Sequence, residues 1–241
     1  KGAHTASLLR EPTTEAIETL FAAGEGTIRQ VTLAPELSGG LEAIRRVVGP
    51  GAAAAVGHTA ADRAQTQAAF DAGATILTHA FNAMKGLHHR EPGPVGAAMS
   101  DPRVRLEVIA DGVHVHADVI RMLSASAPGR VALVTDAMAA AGAADGAYEL
   151  GGLAVEVIDG VARLVDGGAI AGSTLTQDAA LRTAVAAGMP VAQAVEALTS
   201  VPAAAVGRPD LGTLTVGSLA DIVLLDADLH VRGVWIAGTR V

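Results

Sequence analysis

The sequence predicts an α/β fold, a (β/α)8 barrel of the TIM type with a small β-sandwich domain attached. Three observations carry this expectation. Short apolar runs recur through the first half of the chain, at residues 28–33, 52–56, 75–77, 104–109 and 131–134. Each is followed closely by an acid or a histidine, in the order Glu36, His58, His79, His114 and Asp136. These five residues are spaced by 22, 21, 35 and 22 positions, room for a strand, a helix and two loops, so the repeat is βα and not all-helical.

Continuous apolar runs of this length are the pattern of parallel strands buried on both faces. Helices are expected between them. Residues 40–48 carry apolar positions at Leu41, Ile44 and Val48. Residues 60–72 open on Thr59-Ala-Ala-Asp62, a capping-box-like start, and stop before Gly73. A third helix is expected over 117–125, ending near Pro128-Gly129, and the long interval holds a loop over 82–94. Beyond Asp136 the pattern changes. Residues 153–158 and 161–165 flank Asp159-Gly160 and predict a hairpin. Helices follow over 174–187, capped by Ser173 or Thr174, and over 191–199, started by Pro190. From Leu211 the chain reads as β structure. Residues 1–208 are therefore assigned to the barrel and 209–241 to the C-terminal part of the small β domain. Five βα units fall three short of a closed eight-stranded barrel. Together with the abrupt polar start at Lys1, this gives the expectation that the first strands precede the chain.

Composition narrows the function. There is no cysteine, so disulfides, a thiolate nucleophile and Cys-ligated metals are excluded, and any metal must be held by His and carboxylate. A net charge of −8 argues against nucleic-acid binding, which needs a basic face. No apolar run approaches the roughly 18–20 residues that span a bilayer, and no secretory signal is visible. A soluble cytoplasmic enzyme is the expectation.

In a βα barrel, side chains at the C-terminal ends of the strands form the active site. Glu36, His58, His79, His114 and Asp136 all occupy such ends, and all are metal ligands or acid–base groups by type. Singly each has a structural reading, since a strand-end histidine often only hydrogen-bonds and a strand-end aspartate often caps a helix. Two imidazoles and a carboxylate suit a divalent ion with a position left for water. An aspartate nearby can take the water's proton and return it to a leaving amine. His114 can donate to a developing oxyanion, as a neutral or a charged ring. No Gly-x-Ser-x-Gly elbow, P-loop or dinucleotide fingerprint is present.

Several motifs are more specific: KGAH (1–4), TLAPE (32–36), GHTA (57–60), THAFNAM (78–84), HREPG (89–93), ADGVH (110–114), LVTDAM (133–138) and AGSTLT (171–176). In this order the chain resembles the N-acetylglucosamine-6-phosphate deacetylases of the amidohydrolase superfamily, and LGTLTVGSLADIVLLD resembles the tail of amidohydrolases broadly. The resemblance implies metal ligands at Glu36, His58 and His79, a catalytic acid–base at Asp136, and an acetamide contact from His114. It also implies substrate contacts from Ala3, His4, Asn82, Ala83 and residues 170–172 (Ile170, Ala171 and Gly172), and a phosphate-binding Arg90 that reaches across a homodimer interface. The implied cofactor is a divalent metal, zinc first, with iron, cobalt or manganese as alternatives and one or two ions left open. The implied reaction removes acetate from N-acetylglucosamine 6-phosphate. Ala60 departs from the Asn or Asp that many members carry there. The alternatives are an amidohydrolase acting on a cyclic amide or base, and a non-catalytic sugar-phosphate-binding protein. His88 is expected to be an exposed loop residue, and His116 and His230 structural or surface residues.

Overall fold

The structure, a computed structural model, describes residues 2–241; Lys1, the first residue of the KGAH motif, lies outside the described residues. Its centre is a parallel sheet of β1 (Gln30–Leu33), β2 (Ala53–Val56), β3 (Ile76–Leu77), β4 (Arg105–Ile109) and β5 (Val131–Val134), each beside the next in chain order. In register, Leu33 lies opposite Val56, Val56 opposite Leu77, Leu77 opposite Leu106 and Ile109 opposite Val134, so β1 to β3 finish level and β4 and β5 run three residues further.

Parallel neighbours need a crossover, and helices supply it. The first helix, α1 (Thr14–Gly24), precedes β1. Next come α2 (Gly40–Val48), α3 (Arg63–Asp71), α4 (Gly93–Ser100) and α5 (Ala117–Ser126), one after each of the first four strands. The fifth strand is followed much later by α6 (Gln177–Ala186), α7 (Val191–Glu196) and α8 (Ser200–Ala205). One main core lies between sheet and helices, joining Val56, Leu77, Leu106, Val108 and Leu133 to Ile44, Val47, Phe70, Ile120 and Leu123. The opposite face of the sheet mixes buried apolar residues, Ala55, Ile76 and Ala132, with polar ones. There Thr32 and Thr78 share a hydroxyl hydrogen bond of 3.0 Å, and Gln30 Nε2 donates to Glu107 Oε1 at 2.9 Å.

The caps differ in part from the sequence reading. Thr59 does not start α3. Asp62 does, accepting from Gln65 N while Gln65 Oε1 accepts from Asp62 N, a full capping box. Thr59 is instead turned towards Glu36. Neither Ser173 nor Thr174 caps α6, whose N-cap is Thr176 without a side-chain cap bond. Ser173 bonds the Thr135 carbonyl, and Thr174 bonds the Gly160 carbonyl at 2.6 Å.

The expected hairpin is β7 (Leu153–Ile158) with β8 (Val161–Leu164), closed by Asp159 and Gly160, both at positive φ as a primed turn requires. A further strand, β6 (Gly146–Leu150), extends it to three. Three of its five residues are Gly146, Ala147 and Glu149, so no apolar run marks a strand there. This sheet encloses a second, smaller core of Met138, Ala140, Val155, Val157, Ala162 and Ala171. At the C-terminus, β9 (Ile222–Leu225), β10 (Val231–Ile236) and β11 (Thr239–Arg240) form an antiparallel sheet. Residues 211–221 are bends, a turn and irregular chain rather than strand, with Gly212 and Gly217 at positive φ.

Candidate active site

Four of the five expected site residues follow their strands within three positions: Glu36 after β1, His58 after β2, His79 after β3 and Asp136 after β5. Three of them have left-handed backbones, with φ of 47° at His58, 29° at His79 and 49° at Asp136. Such conformations cost a non-glycine residue about 1–3 kcal/mol and are kept where surrounding structure enforces them. Glycine at position 57 supplies part of that enforcement. A Cβ there would meet Thr78 Cβ at 2.7 Å and Thr32 Cγ2 at 2.8 Å, so the chain just before His58 runs flush against its neighbours.

His58 and His79 face each other, with Nε2 atoms 2.8 Å apart and rings edge to face at 4.6 Å. His4 stacks on His58 with centroids 4.0 Å apart. His79 is buried, and its Nδ1 has no hydrogen-bond partner. Burial lowers its pKa, opposed by the negative charge of Asp136 and assisted by the positive charge of His114. A neutral buried imidazole with an unpartnered nitrogen beside a second imidazole is a donor set that fits a divalent transition metal.

Glu36 stands apart from this pair. Its carboxylate accepts from Thr59 Oγ1 and from Ala60 N, both at 2.5 Å. Its oxygens and the two imidazoles do not all come within 4.8 Å of one another. Among the described residues only Asp226, Asp228 and His230 reach that spacing. Those three belong to a turn whose Asp226 carboxylate accepts from Asp228 N, His230 N and Arg232 Nε.

A cavity of about 420 Å³ opens beside the histidines, lined by Ala3, His4, His58, Asp136, Met138 and Gly172 among others. Pairing of the 171–173 segment with the chain leaving β5 brings Gly172 there. Ser173 N donates to Asp136 O at 2.8 Å, and Met138 N to Ser173 O at 2.9 Å. A Cβ on Gly172 would lie 2.9 Å from that same Asp136 carbonyl. Ala171 is buried and bonds Ala162 O at 3.1 Å, and Ile170 pairs with Arg163.

Other expected residues sit outside the cavity wall. Ala83, at φ 50°, accepts from Thr59 N at 3.1 Å, which lays the 82–92 loop against the residues after β2. Asn82 bonds Ala80 O at 3.3 Å. Arg90 is exposed with Nη1 2.8 Å from His89 Nε2, and the exposed His88 stacks on His89. His114 lies further past its strand and pairs with Asp111, Nδ1 to Oδ2 at 2.6 Å. His116 caps α5 and His230 is exposed. Sequence gives no role to Asp111, Glu91 or Glu107, and to Thr59 only that of a helix start. The contacts of Thr59, Glu91 and Glu107 join residues from different turns or strands, whereas Asp111 bonds within its own turn, where ADGVH alone hints at it. Burial pushes the Glu107 carboxyl up, against the hydrogen bond from Gln30.

The amidohydrolase family profile matches residues 2–241. The chain belongs to the amidohydrolase family. It is 46% identical, over 99% of its length, to an N-acetylgalactosamine-6-phosphate deacetylase of Escherichia coli O157:H7. To an N-acetylglucosamine-6-phosphate deacetylase of Vibrio furnissii it is 38% identical over its whole length. It spans 63% and 61% of those two curated relatives. Among solved structures, a mutant N-acetyl-D-glucosamine-6-phosphate deacetylase from Mycobacterium smegmatis, in complex with N-acetyl-D-glucosamine-6-phosphate, superposes with a TM-score of 0.96. Identity there is 47%, over 99% of this chain and 64% of that one. The Thermotoga maritima N-acetylglucosamine-6-phosphate deacetylase gives 0.93 at 33% identity, over all of this chain and 65% of that one. With likenesses this close, the five-stranded parallel sheet of this amidohydrolase is part of a TIM-like barrel, with antiparallel sheets beside it. Among the described residues no helix is long and apolar enough to cross a membrane.

Proposed function

We propose that this amidohydrolase removes the acetyl group from an N-acetylhexosamine 6-phosphate, with N-acetylglucosamine 6-phosphate as first substrate. The observation that carries the reading is the cavity where His4, His58, Asp136 and Gly172 meet, with His79 paired to His58 behind it. In this reading His58, His79 and Glu36 would hold a divalent ion, zinc first. An ion held there acidifies a water and polarises an amide carbonyl. Asp136, exposed on the cavity wall, takes the water's proton and passes it to the leaving amine. His114 stabilises charge on the acetamide oxygen. Ala3, His4, Asn82, Ala83 and the backbone of residues 170–172 orient the sugar, and Arg90 binds the phosphate, where a guanidinium suits a dianion. Residues 209–241 form the C-terminal part of a separate small β unit, and the working place is the cytoplasm.

The test is acetate release by the full-length, metal-loaded protein on N-acetylglucosamine 6-phosphate, its galactosamine epimer, and unphosphorylated N-acetylglucosamine. Strong preference for a phosphorylated sugar is expected. Equal turnover of the unphosphorylated sugar would overturn the role of Arg90, and no release from any of the three would overturn the substrate class. The epimers are included because the relatives divide between the two names. The further reading that Arg90 acts across a homodimer predicts a sedimenting dimer, with KM raised about tenfold or more in Arg90→Ala.

A further inference from the structure

His114 and Asp111 form a shielded pair, with side chains 7% and 13% exposed and Nδ1 2.6 Å from Oδ2. The other oxygen, Oδ1, accepts the backbone N–H groups of Val113 at 2.9 Å and His114 at 2.8 Å. Burial pushes the Asp111 carboxyl up, but the hydrogen bonds from the His114 ring and from the two backbone groups outweigh it and leave it below its ordinary value. Asp111 is thus an anion, and an ionised carboxylate can only accept. The ring nitrogen facing it must therefore be protonated.

We propose that Asp111 is a positioning residue that commits Nδ1 of His114 as a donor and reserves Nε2 for the substrate. This rests on the deacetylase reading for what Nε2 meets, but the tautomer itself does not. With Nδ1–H spent on Asp111, the ring donates to an oxyanion through Nε2 only as imidazolium, with Asp111 as its counter-ion. That narrows the choice between neutral and charged ring which residue types leave open. The same logic governs the aspartate behind the histidine of a serine-protease triad, where the acid fixes the tautomer and supports the cation.

Asp111→Asn isolates the effect. Its Oδ1 still accepts from Val113 and His114, so the turn is kept. Its amide nitrogen replaces Oδ2 and can only donate, so it pairs with a bare Nδ1 and drives the proton to Nε2. The experiment is two-bond ¹H–¹⁵N correlation spectroscopy of the full-length, zinc-loaded protein, with the His114 signals assigned by their loss in His114→Gln. The wild type is expected to show a protonated Nδ1, and Asp111→Asn a proton on Nε2 only. kcat on N-acetylglucosamine 6-phosphate is expected to fall about 100-fold or more, with KM changed less than about threefold, and Asp111→Glu to recover part of it. A bare Nδ1 in the wild type overturns the proposal even if the variant fails to fold. An unchanged tautomer or an unchanged kcat in Asp111→Asn overturns it too. If the wild type turns over no acetylated sugar phosphate, the substrate reading fails while the spectra still decide the tautomer.

Discussion

Asp136 and Gly172 show how closely single residues are fitted at this site. Asp136 holds a left-handed backbone whose carbonyl accepts from Ser173, and Gly172 passes so near that carbonyl that a Cβ would fall at 2.9 Å. The side chain is thus aimed by its neighbours' backbone. Its removal as a base should leave that scaffold intact. Asp136→Asn is expected to keep its metal and its KM within about threefold while kcat falls about 100-fold or more, read by metal analysis and steady-state kinetics. Retained turnover would remove Asp136 from the mechanism. Gly57 makes the opposite point, because there the added atom is the perturbation. Gly57→Ala drives a methyl into Thr32 and Thr78 at under 3 Å. A loss of about 1–3 kcal/mol in urea unfolding is expected, together with weaker metal retention as His58 shifts. Wild-type stability would show that the strands yield at no cost.

Among the elements, α3 and α4 are joined at their starts by one carboxylate. Glu91 Oε1 accepts from Arg63 N at 2.8 Å and from Gly93 N at 3.2 Å, the first residues of the two helices. It lies in the loop that carries Arg90, so the bond that caps the helices also fixes the loop. Glu91→Ala is expected to cost about 1 kcal/mol, as losing a cap does, and to raise KM for the phosphorylated sugar more than it lowers kcat. Glu91→Gln retains an acceptor oxygen and should restore most of the KM. Equal KM in all three proteins would show that the loop needs no anchor.

For the whole molecule, the end of the sheet remote from the site carries its own ionic clasp. Asp101 is buried and accepts from Arg103 and from Gln67 Nε2, while Arg103 also reaches Asp71. The Arg103 hydrogen bonds hold the Asp101 carboxyl well below the ordinary carboxylate range. A carboxyl with a depressed folded-state pKa stabilises fully above its unfolded pKa and loses that contribution as pH falls through the folded value. Arg103 is half exposed, so screening limits the effect to about 1 kcal/mol. The gap in urea midpoint between wild type and Asp101→Asn should be constant near neutral pH and shrink below about pH 4. A gap that widens in acid would reverse the assignment.

By itself the sequence determined the βα repeat, through short apolar stretches at intervals long enough for a helix. Strands β1 and β4 nonetheless interleave polar residues such as Gln30, Thr32 and Glu107 that face away from the helices. It likewise determined which residue types stand at the strand ends. Helix α2 and strand β5 are observed with the expected bounds, and the Asp-Gly hairpin is present. Strand β6, lacking an apolar pattern, and helices α1, α4 and α8 were not legible. Helix α4 begins on Gly-Pro and is held by packing and by Glu91, which lies outside its own segment. Only the tertiary structure decided which strand-end residues meet. It pairs His58 with His79, brings Gly172 to Asp136 from across the second small core, and turns Thr59 from helix cap to support for Glu36. Local sequence specifies the hydrogen-bonding groups a residue offers. Which partner satisfies them depends on chain segments tens of residues away, brought within 3 Å only by the packed sheet.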